Sequence, residues 1–133
     1  MSDWEFEIHR GDKTGTVICK CKSTPHITEV ELEKQHCMVT MHHLHHKNYP
    51  SKTTFTYNGK VYYWYEFNEL VEEESGSVLA QYYPSWNVPD AHEHVLGKLV
   101  IKEYGVHLID LIVITALILQ SWSQEGKEAV ASF

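Results

Sequence analysis

The chain has 133 residues, 43% of them hydrophobic and 22% charged, with a formal net charge of -7; this suits one domain able to bury a core without disulfides or metal as staples. The acidic excess argues against nucleic acid or an anionic membrane as partner, because the 11 Lys and Arg are scattered singly or in loose pairs such as Lys20 and Lys22 and form no basic stripe. Three cysteines, Cys19, Cys21 and Cys37, and the lack of any N-x-S/T sequon give no sign of an oxidising compartment, so reduced thiols are expected.

The start, Met1-Ser2-Asp3-Trp4-Glu5, carries acids where a secretory leader needs positive charge and then an apolar run, so a cytoplasmic or nuclear location is expected. From there to about residue 100 the apolar pattern has period two and turn signals recur roughly every 8–12 residues, as in consecutive antiparallel strands. The first four strands are expected at Trp4 to His9, Thr16 to Cys21, Ile27 to Leu32 and His36 to Met41. Asn58-Gly59 is the sharpest local signal, since both central residues of a type I′ turn need positive φ. It predicts a hairpin of Thr53 to Tyr57 with Lys60 to Glu66, setting Phe55 opposite Tyr62 and Thr53 opposite Trp64 on one face, with Val61, Tyr63 and Tyr65 on the other. A second hairpin is expected from Leu70 to Glu73 and Val78 to Tyr83 around Ser75-Gly76, with the acidic run Glu72 to Glu74 solvated near its tip. A loop with Pro84 and Pro89 follows, then a short strand from Lys98 to Lys102.

After Val106 the period changes. Leu108, Ile109, Leu111 to Ile114 and Ala116 to Leu119 leave almost no polar face before Gln120, the pattern of a buried helix. His107 and Asp110 interrupt its start, and an apolar stretch of about 14 residues is short of the roughly 20 needed to span a bilayer; the β-branched content leaves a strand as the alternative. The fold class expected is therefore mainly β with one C-terminal helix: a single domain over residues 1–133 in which an antiparallel, barrel-like sheet wraps a buried apolar helix. Asp110 has a structural reading as a first-turn carboxylate at the positive helix end, and a catalytic reading beside it.

Three stretches in order, Tyr57-Asn58-Gly59-Lys60-Val61-Tyr62-Tyr63-Trp64, Gly97-Lys98-Leu99-Val100-Ile101 and the run from His107 to Leu117, resemble an uncharacterised domain family of mushroom-forming fungi. That family is itself similar to the tubby-like and phospholipid-scramblase fold, in which a β-barrel encloses a hydrophobic C-terminal helix. The resemblance implies the same architecture over most of the chain and is strongest from Tyr57 to Gln120. Tubby-like relatives often bind phosphoinositides through a basic patch; the dispersed lysines here do not reproduce one, so that function is not carried over.

Ten histidines are the least ordinary feature, and six fall in two groups, His42-His43-Leu44-His45-His46 and His92-Glu93-His94. In an extended segment His43 and His45, or His92 and His94, share a face and offer two imidazoles to a divalent transition metal such as Zn, Fe, Ni or Cu. The plainer reading puts both groups in exposed, polar loops. Cys19 and Cys21 share a strand face and read chiefly as small core residues. The aromatic set Tyr57, Tyr62, Tyr63, Trp64, Tyr65, Tyr82, Tyr83 and Trp86 could line a ligand groove, with Tyr62, Trp64, Tyr82 and Trp86 as the leading candidates; a strand aromatic on both faces must put one set outside the main core. No Gly-rich phosphate loop, G-x-S-x-G elbow or H-E-x-x-H motif occurs. The leading expectation is a non-enzymatic module binding a small molecule or a protein, with no firmly implied cofactor. The alternative is a metal-dependent enzyme using His42 to His46 and His92 to His94, with Glu93 or Asp110 as acid or base.

Overall fold

The computed structural model describes residues 4–9, 15–46, 49–66, 68–84 and 97–123. Nine strands follow one another there: β1 (Trp4–His9), β2 (Val17–Ser23), β3 (Ile27–Leu32), β4 (Cys37–His46), β5 (Tyr49–Tyr57), β6 (Lys60–Tyr65), β7 (Glu69–Glu72), β8 (Val78–Pro84) and β9 (Gly97–Ile101). A 3₁₀ turn over Glu103–Leu108 then leads into helix α1 (Ile109–Ser123). Each strand lies antiparallel beside the one before it, so the sheet order is β1 to β9. This is the mainly β fold with one C-terminal helix that the period-two pattern predicts.

Alternation decides which side chains face in. β3 buries Thr28, Val30 and Leu32 and exposes Ile27, Glu29 and Glu31. At the predicted turn Asn58 has φ 50 and Gly59 φ 78, as a type I′ connection requires, and this short loop sets the register. Phe55 pairs with Tyr62 and Thr53 with Trp64, all four inward and buried. The Phe55 and Tyr62 rings stack with centroids 5.6 Å apart.

Three register slips interrupt the sheet, at Ile8/His9, Leu44/His45 and Leu70/Val71, and two of them bear on the candidate residues. β4 runs to His46 and β5 begins at Tyr49, so the His42 to His46 group lies in a paired strand, and the loop reading of that group is replaced. Pro50 sits opposite His45, where the register slips between Leu44 and His45; proline has no N–H for the ladder, which is why it is tolerated at such a slip. The slip between Leu70 and Val71 bends the β7–β8 pair, and consecutive Leu79 and Ala80 are both buried.

α1 contributes Leu111, Ile112, Ile114, Ala116, Ile118 and Leu119 to one core with Ile8, Val30, Leu32, Val39, Met41, Phe55, Trp64 and Leu70. Its β-branched residues lose rotamer freedom in a helix, and burial of the apolar faces outweighs that cost. The wrapping is incomplete. Among the described residues β1 pairs with β2 and β9 with β8, and the sheet does not close. One helix stripe, Ile109, Val113, Leu117 and Gln120, is correspondingly exposed or half-buried. By length and composition the 18 residues from Glu103 to Gln120 are long and apolar enough to cross a membrane, but 50% of them are buried inside the fold.

Two contacts fix the helix. The Trp64 indole N–H donates to Thr115 Oγ1 at 2.8 Å, and that hydroxyl donates to the Leu111 carbonyl at 2.9 Å. At the entry to the helix, the Lys102 N–H donates to the Leu79 carbonyl, and a Cβ on Gly105 would lie 2.7 Å from the same oxygen and 3.0 Å from Ile112 Cδ1. Only glycine lets the turn approach β8 so closely. We expect Thr115→Val, which keeps the shape but leaves a buried indole N–H unpaired, to lower unfolding free energy by about 1–3 kcal/mol, read from urea denaturation. Gly105→Ala should cost about 1–3 kcal/mol through overpacking; an unchanged urea midpoint would show that the turn relaxes freely.

Candidate functional site

The interior carries a seam of polar side chains across four strands. Ser23, Thr28, His43 and Thr53, from β2, β3, β4 and β5, are all buried. Ser23 Oγ lies 2.7 Å from Thr28 Oγ1, Thr28 Oγ1 2.7 Å from His43 Nε2, and His43 Nδ1 2.9 Å from Thr53 Oγ1. Each group answers its neighbour's hydrogen-bonding need, which is the condition for polar atoms to sit in a core. His43, expected as a metal ligand, has both ring nitrogens engaged by hydroxyls and is not placed to ligate. Among the described residues no three His, Cys, Asp or Glu side chains group as a metal site. His92, Glu93 and His94 lie outside the described residues, as does the side chain of His45.

The candidate groove residues separate in the same way. Tyr62 and Trp64 are core residues, and neither offers a surface to solvent; burial, then the nearby Glu72 and Tyr57, push the Tyr62 hydroxyl above its ordinary range. Tyr82 is half-buried against the core, where burial likewise raises its hydroxyl. Trp86 lies outside the described residues. Asp110 is half-buried in the first turn of α1, where the sequence predicts it. Cys19 and Cys21 are buried with sulfurs 3.8 Å apart. Their hydrogen bond, burial and the charge of Cys19 push the Cys21 thiol far up, so both behave as small apolar residues.

Tyr63, Tyr65 and Tyr83, also among the aromatic candidates, alternate to the opposite, outward face. One cross-strand row runs Leu44, Lys52, Tyr65, Glu69, Gln81, and its neighbour runs Ile27, His42, Thr54, Tyr63, Val71. Leu44 is 64% exposed and Tyr65 51%. Lys52 Nζ sits 4.5 Å from the Tyr63 ring centroid, a cation–π contact between β5 and β6. Tyr83 extends the surface, its hydroxyl donating to Gln81 Oε1 at 3.1 Å. The signal was available in the alternation around Asn58-Gly59, which already separates Tyr63 and Tyr65 from Tyr62 and Trp64.

The model of the family of unknown function DUF6593 matches residues 2–124. The chain belongs to that family. The match spans every element of the fold from β1 to α1. No curated protein and no solved structure matches it.

The thiol environments predict a graded chemistry. In the native chain at pH 8, half-buried Cys37 should react with an aromatic disulfide reagent, while Cys19 and Cys21 react only after denaturant is added, because their sulfurs are buried out of the reagent's reach. Labelling followed by peptide mass spectrometry reads the order; rapid native labelling at Cys21 would contradict the buried pair.

Proposed function

We propose that this chain is a small intracellular, non-enzymatic module that binds a protein partner through the outward face of β4, β5, β6 and β8. The observation that carries the reading is the row in which exposed Leu44 and Tyr65 flank Lys52 on three hydrogen-bonded strands. Large apolar side chains held in the open on a rigid sheet are the usual mark of a contact surface. Tyrosine suits one because its ring supplies area at small entropic cost and its hydroxyl supplies a polar handle. The inward groups support the same reading from the other side, since Ser23, Thr28, His43 and Thr53 bond to one another and serve the core. We take the tubby-like resemblance as one of architecture.

The test starts with affinity capture on the folded chain, identification of the bound protein, and calorimetric titration of the purified pair. Tyr63→Ala/Tyr65→Ala/Tyr83→Ala should leave stability within about 0.5 kcal/mol per site, as surface changes do, and weaken binding on the order of tenfold or more, as aromatic contacts do. Unchanged affinity in that triple variant would reject the face. Metal content of untagged protein separates the enzymatic alternative: about one metal per chain, lost in His92→Ala/His94→Ala, would favour a metal-dependent enzyme instead.

A further inference from the structure

The buried seam has a direction. Ser23 Oγ donates its one hydrogen to the Thr24 carbonyl at 3.3 Å. Thr28, 2.7 Å away, must then donate to Ser23 Oγ and has no hydrogen left for His43. His43 Nε2 therefore carries the proton and donates to Thr28, and a neutral ring accepts at Nδ1 from the Thr53 hydroxyl. Four donors point one way from β5 to the β2–β3 turn, and the arrangement is complete only while His43 is uncharged.

We propose that His43 is an acid-sensitive latch on the β3–β4–β5 seam. A proton added at Nδ1 meets Thr53 Oγ1 head-on, so the Thr53 hydroxyl must turn its hydrogen elsewhere, and a charge appears at a residue 5% exposed. The inward residues on the neighbouring strands are Ser23 and Cys21 on β2, Thr28 and Val30 on β3, Thr53 and Phe55 on β5, and Tyr62 and Trp64 on β6; the titratable ones among them, Cys21 and Tyr62, are neutral at this pH. Among the described side chains of the same strands, the charged or basic Lys20, Lys22, Glu29, Glu31, His42 and Lys52 alternate to the outward face, Lys60 at the start of β6 is exposed and lies 3.8 Å from Glu72, and Asp110 is half-buried in the first turn of α1. An imidazolium in this seam is disfavoured, so the unfolded chain takes up the proton more readily. Its imidazole does so as pH falls through about 6.5, and the latch therefore stabilises the fold above that pH and ceases to do so below it.

The experiment uses the full chain labelled with ¹⁵N, following imidazole nitrogens by long-range proton–nitrogen correlation from pH 8 to pH 5, with His43→Gln for assignment. We expect His43 to show the neutral, Nε2-protonated pattern and to keep it after the exposed imidazoles have titrated. Between pH 7 and 5 the wild-type urea midpoint should fall further than that of His43→Gln. Should His43→Gln fail to fold, Thr53→Val, which removes the donor to Nδ1, assigns the signal and the wild-type titration decides. An Nδ1-protonated ring, a ring that titrates with the exposed histidines, or equal midpoint shifts in wild type and variant would each overturn the proposal.

Discussion

Everything in this structure depends on burying a helix that has almost no polar face. α1 cannot stand in water, and a flat sheet would cover only one side of it, so nine short strands curl round it in chain order. The sequential meander follows from the same constraint: strands that each pair with the one before bend progressively and need no crossover to reach around the helix. The hydrogen bond from Trp64 to Thr115 sets helix rotation against the sheet, because a buried indole N–H without a partner is costly. Gly105 sets the entry, where only the absence of a Cβ allows the turn to lie on β8.

The interior so formed is not uniformly apolar. Ser23, Thr28, His43 and Thr53 make a hydrogen-bonded seam among hydrocarbon neighbours, and such networks specify one register, since a one-residue slip would strand every member. The seam, the paired Cys19 and Cys21 sulfurs and the raised Tyr62 hydroxyl have a common cause: the sheet's inward face excludes water, which favours neutral forms. Chemistry that needs charge is thereby displaced to the outside.

The outward face receives what the core does not use. Leu44, Tyr63, Tyr65 and Tyr83 project there because each lies one position from an inward residue, and Lys52 and Gln81 tether two of the rings. A surface of this kind is preorganised by the strand ladder beneath it, so a partner would meet little loss of side-chain freedom.

Local order was legible in the residues alone. The period-two pattern, the positive-φ pair Asn58-Gly59 and the change of period after Val106 determined strands, a hairpin register and a C-terminal helix, since each depends on neighbours a few positions apart. The same alternation separated Tyr62 from Tyr63, but which face would be covered by α1 is settled by a contact between positions 64 and 115. The histidine cluster shows the limit best. His-rich spacing suggested a metal, yet whether an imidazole at position 43 meets an ion or two hydroxyls depends on strands that bring Thr28 and Thr53 from 15 and 10 residues away. Only the tertiary structure decides that, because hydrogen-bond partners in a sheet are chosen by register across strands and leave no mark in the spacing along one.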